Sequence, residues 1–223
     1  MQTLSTQQES LQTASDLLSD LQVETYSSME RREKTEFLLE QMRLLVGVAK
    51  NKDAEAKRAK ESREIGQEGK GAGVVDGEAE WVKVRVGGRK VNEAFLKEEA
   101  NEVRVISYSV IQPFVTDFVA QDLKLKFYDL MIQYALHQTA YLDVAKHYYK
   151  IWETLSIKGD EAGKGRQVCD HCFEVRICVN QRGDFKALEY IVYYVVLAPH
   201  DNEQSDMLHH LFIDPALTKL ELH

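Results

Sequence analysis

The sequence predicts an all-α chain of stacked, antiparallel helical hairpins. Three observations carry that reading. Apolar residues recur at three- and four-residue spacing in one segment after another. Only three prolines and twelve glycines interrupt 223 residues, which favours long regular elements. Two of the strongest stripes are separated by a break of a few residues, as in an antiparallel helix pair. Such pairs leave a second apolar face, as stacked repeats do, although no strict repeat period is present.

From the N-terminus, Leu11, Ala14, Leu17, Leu18 and Leu21 form one helical stripe. Thr25–Ser28 is a polar break, and Ser27 with Glu30 has capping-box spacing, so a second helix is expected to start there. Its stripe is Phe37, Leu38, Met42, Leu45, Val46 and Ala49. From Lys50 to Glu64 the apolar period stops; Lys50, Lys52, Lys57, Arg58 and Lys60 alternate with Asp53, Glu55 and Glu61, as on a solvated helical extension. Gly66–Gly77 is a glycine-rich loop. Its Gly69-Lys70-Gly71-Ala72-Gly73 run lacks the preceding strand and following helix of a dinucleotide site. Trp81, Val82, Val84 and Val86 before Gly87-Gly88 look locally like a strand entering a hairpin.

Leu123, Phe127, Leu130, Met131 and Tyr134 make the next stripe, and Tyr141, Val144, Ala145, Tyr148, Ile151, Trp152 and Leu155 the one after. The break lies near Gln138-Thr139, and small Ala135 and Ala145 would let the two backbones approach. Trp152 and Tyr148 are expected to be buried against Phe127 and Tyr134. An apolar helix from Ala187 to Ala198 stops at Pro199. Asp201 or Asn202 can then cap a short helix through Met207, Leu208 and Leu211, and Asp214-Pro215 can open a last one.

Composition removes several functions. The formal net charge is −8, which disfavours nucleic-acid binding. Residues 1–20 carry no apolar signal region, and the longest apolar run, Ile191–Pro199, is far short of the ~20 residues of a membrane helix. An intracellular, soluble chain is expected. Cys169, Cys172 and Cys178, with His171, are the one metal-like cluster; the second half of a zinc ribbon is missing, and His209 and His210 are remote in sequence. His137, His147 and His200 read as single surface or capping histidines. No triad, no HExxH and no phosphate loop is present, so neither a catalytic nor a cofactor-binding residue is assigned. Tyr190, Tyr193 and Tyr194 lie among Val192, Val195 and Val196, as a core belt or a protein–protein face.

Three blocks carry a family resemblance. Leu21 to Glu30, continuing through Phe37 to Leu44, is the first. Leu123 to Gln133, running on to Tyr141-Leu142, is the second, and Val195 to Asp206 the third. Together they resemble the PCI family, and within it the non-ATPase subunits of the 26S proteasome regulatory-particle lid; the glycine-rich loop and Trp81–Leu96 look like a fungal version. The resemblance implies a TPR-like α-solenoid of helical hairpins leading to a C-terminal winged-helix module. It also implies a scaffold without catalysis, cofactor or metal, serving ubiquitin-dependent protein degradation in cytoplasm and nucleus. Partners would be other lid subunits and neighbouring regulatory- or core-particle subunits in a hetero-oligomer, with no nucleic acid and no membrane.

The resemblance makes residues 79–99 a helix despite the local alternation. It divides the chain into a hairpin at 1–50, the extension and loop at 51–78, a hairpin at 122–157 and helices at 187–222, with the winged-helix module expected beyond His223. The stretch 1–223 is then a fragment of the helical-repeat region, not expected to join the lid stably by itself. The alternatives are a paralogous PCI scaffold of the COP9 signalosome or of a translation initiation complex and, in another class, a small zinc-binding domain through Cys169, Cys172 and Cys178.

Two stretches depart from the family pattern, Val103–Gln121 and Val168–Lys186, each 19 residues long. Both begin with Val, whose codons start with GT, and end with Gln or Lys, whose codons can end in AG. Thr116-Asp117 can be encoded ACT-GAC, which contains a branch-point-like CTGAC. They read as short introns translated in frame; the alternative is a genuine lineage insertion in surface loops. The first is apolar, with Val105, Ile106, Val110, Ile111, Phe114, Val115, Phe118 and Val119. Deleting both stretches is expected to raise solubility and melting temperature, measured by light scattering and circular dichroism. A chain that melts earlier without them would show them to be structural.

Overall fold

A computed structural model describes residues 2–21, 28–64, 76–96, 116–153 and 186–214. Among the described residues every regular element is helical. No helix there is long and apolar enough to cross a membrane. The chain divides into two compact units, Met1–Asn92 and Glu93–His223.

The first unit holds α1 (Gln2–Ser19), α2 (Arg31–Glu64) and α3 (Glu78–Lys90). Both α1 and α3 pack on α2. The central helix therefore buries more than one stripe. Leu39, Leu44 and Val48 join the expected Leu38, Met42, Leu45, Val46 and Ala49 inside, while Phe37 is half-buried. On α1 the expected stripe is only partly used. Leu11, Ala14 and Leu18 are half-buried, Leu17 and Leu21 are exposed, and Ser15 is the buried residue. Gln41 donates its amide N–H to the Leu18 carbonyl at 3.0 Å, satisfying one of the free carbonyls at the end of α1. The second helix opens at Arg31, later than the Ser27 cap expected from sequence; Ser27 itself lies outside the described residues, and the Glu30 carbonyl accepts the Lys34 N–H. The charged extension stays helical to Glu64. The glycine-rich loop falls outside the described residues, apart from Asp76 and Gly77.

Trp81–Val86 lies inside helix α3. The deciding stripe is Trp81, Val84 and Gly87-Gly88, all buried at helical spacing, while Val82 and Val86 face outward. Glycine serves close approach here: a Cβ on Gly87 would stand 2.8 Å from Met42 Cγ of α2. The start of α3 is tied to α2 by polar contacts. Asp53 accepts the Gly77 backbone N–H at 2.9 Å and the Trp81 indole N–H at 2.7 Å. Lys52 pairs with the buried Glu80 at 2.7 Å. The helix expected across 79–99 is shorter than that. It ends at Lys90, Val91 is extended, and residues 93–96 form a separate helical turn belonging to the second unit.

The second unit holds α4 (Thr116–His137), α5 (Tyr141–Trp152), α6 (Lys186–Leu197) and α7 (Asn202–Ile213). Helix α5 packs on both α4 and α6, and α7 on α6. The α4–α5 turn passes through Thr139 at φ 53°, a left-handed conformation uncommon for a β-branched residue. It closes with the Ala140 N–H on the Ala135 carbonyl at 2.9 Å, and Ala135 and Ala145 are both buried. Pro199 lies just past the end of α6, and Asp201 caps α7 by accepting the Gln204 N–H at 2.6 Å. Of the two atypical stretches, residues 103–115 and 168–185 lie outside the described residues. Helix α4 begins at Thr116, inside the first of them, and α6 begins at Lys186, the last residue of the second. The last helix expected from Asp214-Pro215 also lies outside the described residues, which end at Asp214.

Gly77 tests the α2–α3 contact. A Cβ there would stand 2.5 Å from the Ala49 carbonyl oxygen and 2.8 Å from Asp53 Oδ1, and backbone cannot step aside. Gly77→Ala should therefore destabilise the first unit by about 1–3 kcal/mol, read from urea unfolding. A neutral or stabilising result would show that α3 does not approach α2 this closely.

Candidate functional site

The second unit concentrates the aromatic residues. Tyr148 of α5 is buried, and its ring stacks on Tyr190 at 5.2 Å and on Tyr194 at 5.8 Å, both from α6. Tyr194 in turn stacks on Tyr141 at 6.2 Å, and Tyr190 meets Tyr193 edge-on at 6.4 Å. The belt read on α6 thus supplies three rings of a five-ring ladder that joins α5 to α6. The packing direction expected for Tyr148, toward Phe127 and Tyr134, is not where these stacks lie. Phe127 is buried and packs edge-on against Tyr128 at 5.2 Å. Trp152 is buried at the end of α5, and its indole N–H meets no hydrogen-bond partner among the described residues.

Beside the ladder lies a polar cluster. The buried Tyr128 donates its O–H to Glu93 Oε2 at 3.4 Å, and burial together with that carboxylate pushes the phenol pKa upward. The His147 ring lies 5.8 Å from the Tyr128 ring. It is therefore not the surface or capping histidine expected from sequence. It sits in mid-helix, where burial holds its pKa below the usual imidazole value, against the opposing pull of Asp143 and Glu93. His137 lies 3.2 Å from the Gln138 amide, and His200 3.2 Å from Gln204. His209 and His210 are exposed on α7.

Two features face outward. Between α5 and α7 is a cleft of about 470 Å³ lined by Tyr149, Met207 and charged residues. Lys146 pairs with Glu203 there, a contact that raises the lysine pKa. Several outer residues of α6 and α7 are apolar and uncovered: Tyr193, Val196 and Leu197, then Leu208, Phe212 and Ile213, with Phe212 80% exposed. Among the described residues no group of three His, Cys, Asp or Glu side chains could hold a metal ion. Cys169, Cys172, Cys178 and His171 lie outside them.

Against known proteins, the chain matches the family model described as PSMD12/CSN4, N-terminal, over residues 1–113 and again over 100–160. The two matched pieces overlap over residues 100–113, most of them in the first atypical stretch. The chain is 29% identical to the 26S proteasome regulatory subunit RPN5 of Saccharomyces cerevisiae, across 93% of this chain and 31% of that protein. It is 27% identical to the 26S proteasome non-ATPase regulatory subunit 12 of Dictyostelium discoideum, with the same coverage. It is 25% identical to the 26S proteasome regulatory subunit rpn501 of Schizosaccharomyces pombe, across 97% of this chain and 33% of that protein. The chain thus spans about a third of the length of these relatives.

The half-buried His147 sets a pH dependence. Its folded pKa lies below the unfolded value of 6.5, so the unfolded chain binds the extra proton on acidification. The stability associated with neutral His147 is full above 6.5 and declines as pH falls through and below that value. Asp143, Glu93 and Lys146 act on the same ring and are present in both proteins compared. Melting temperature measured between pH 8 and 5 should fall more steeply for the native chain than for His147→Gln; equal slopes would rule out burial of this ring as the cause.

Proposed function

Because the chain belongs to the PSMD12/CSN4 N-terminal family, we propose that it is a non-catalytic scaffold of the 26S proteasome regulatory-particle lid. The observation that carries this reading is the set of exposed apolar side chains on α6 and α7, left in water while Leu188, Ile191, Val195 and Leu211 are buried. A face with Val196, Leu197, Leu208, Phe212 and Ile213 in water is what an assembly subunit offers to a neighbour. Its partners are the other lid subunits and adjoining regulatory- or core-particle subunits, and it works in cytoplasm and nucleus. It supports ubiquitin-dependent degradation by holding neighbours in place, with no bond-breaking step of its own. The relatives' names, regulatory and non-ATPase subunits, favour that reading over a COP9 or translation-initiation scaffold. The zinc reading rests only on Cys169, Cys172 and Cys178.

The experiment is genomic. Leu208→Glu with Phe212→Glu, introduced into the endogenous gene, should lower recovery of this subunit with affinity-purified lid by about tenfold or more. Unchanged recovery at unchanged protein level would remove the α6–α7 face from the assembly and leave the scaffold role without its main support.

A further inference from the structure

Helix α3 turns an unusual face outward. At about 100° per residue, Val82 and Val86 form a central line on its exposed side. Arg85 and Arg89 lie along one edge of that line and Lys83 and Lys90 along the other, the whole face spanning about 160° of the helix. All six residues are exposed, the valines at 51% and 46%. Lys83, Arg85 and Arg89 make no ion pair with a described residue. Glu78, one turn before Val82, bounds the face at its N-terminal end, and Glu80 is turned inward onto Lys52.

Cations in the last turn favour the helix dipole, which accounts for Arg89 and Lys90. It does not account for Lys83 and Arg85 in the middle of the helix, or for a bare valine line between two cationic edges. In a chain of net charge −8 this concentration of positive charge is a local exception. The face is also held firmly, because its opposite side is fixed to α2 by Trp81, Asp53 and the close approach at Gly87. A rigid apolar line with like charge on both flanks is complementary to one kind of surface: an apolar line flanked on both sides by carboxylates.

We propose that the outer face of α3 is a docking site for an acidic amphipathic helix of another protein. The partner's leucine-type side chains, spaced four apart, cover Val82 and Val86, and its Asp and Glu residues meet Arg85 and Arg89 on one edge and Lys83 and Lys90 on the other. Apolar contact sets the register, and the charges speed encounter and reject basic helices. The site is separate from the α6–α7 face, so its failure leaves the lid role untouched.

The probe is a synthetic helix of glutamates with leucine pairs four residues apart, titrated into the full chain and read by fluorescence anisotropy. A peptide of the same composition with dispersed leucines, a single-stranded RNA and phosphatidylserine vesicles are titrated alongside. The designed helix should bind most tightly, and more weakly as salt rises. Arg85→Glu with Arg89→Glu should weaken it on the order of tenfold, as should Lys83→Glu with Lys90→Glu on the other edge. Val82→Ser with Val86→Ser should weaken it several-fold while leaving the salt dependence unchanged. Circular dichroism checks each fold, and the two edge variants stand in for each other if one is unstable. The proposal is overturned if the dispersed peptide binds equally well, if charge reversal has no effect, or if RNA or vesicles bind more tightly through the same residues.

Discussion

In each unit a middle helix is deprived of water on two sides, α2 by α1 and α3, and α5 by α4 and α6. That demand governs the rest. A helix covered on one side needs an apolar stripe of about 100°; one covered on two needs nearly twice that width, and the partners on either side can then be narrower. So α2 carries eight buried apolar residues between Leu38 and Ala49. By contrast α1 contributes half-buried Leu11, Ala14 and Leu18, and α3 little beyond Trp81, Val84 and two glycines. The same holds for α5, where Val144, Ala145, Tyr148, Ile151 and Trp152 are all buried within twelve residues.

The two indoles, Trp81 on the flanking helix α3 and Trp152 on the middle helix α5, are in different situations. Trp81 is buried with its N–H on Asp53, so its polar atom costs nothing extra inside. Trp152 is equally buried, but its N–H meets no acceptor among the described residues. Burying an unpaired donor costs roughly 1–3 kcal/mol, which the stacking of Tyr148 on two rings and the apolar area of α5 must outweigh. The first unit is therefore pinned by directional bonds and the second by aromatic area.

The helical class and most helix positions were legible because they depend on spacing along one strip of chain. Pro199 and Asp201 marked the α6–α7 junction because a missing N–H and a capping carboxylate act locally. What was not legible depended on a second strip. The alternation at Trp81–Val86 contains a helical stripe as well as a strand pattern, and only the contact with Met42 shows why two glycines continue it. Leu17 matches the α1 stripe yet faces water, because α2 covers only part of that stripe. His147 looked like a surface residue because nothing near it in sequence announces that Tyr128 and Glu93 converge on it. The tyrosines of α6 were visible as a belt, but their partner Tyr148 lies over forty residues away. The outward face of α3 was hidden for a related reason: a helix across 79–99 is expected, but which of its sides meets α2 depends on Met42 and Asp53, far away in sequence.

The length of α2 has a mechanical meaning. At 1.5 Å per residue its 34 residues make a rod of about 51 Å, while α1 has 18 residues and α3 only 13. Beyond Lys52, Asp53 and Ala56, which meet or lie under neighbours, the described charged residues Lys57, Arg58, Lys60 and Glu61 are exposed. A rod of this kind acts as a lever. A tilt of about 5° at one end displaces the other by about 4 Å, close to the rise of one helical turn. Small strains at the Arg31 end of the rod would thus arrive at Lys60 and Glu61, about 44 Å away, as displacements large enough to make or break contacts there.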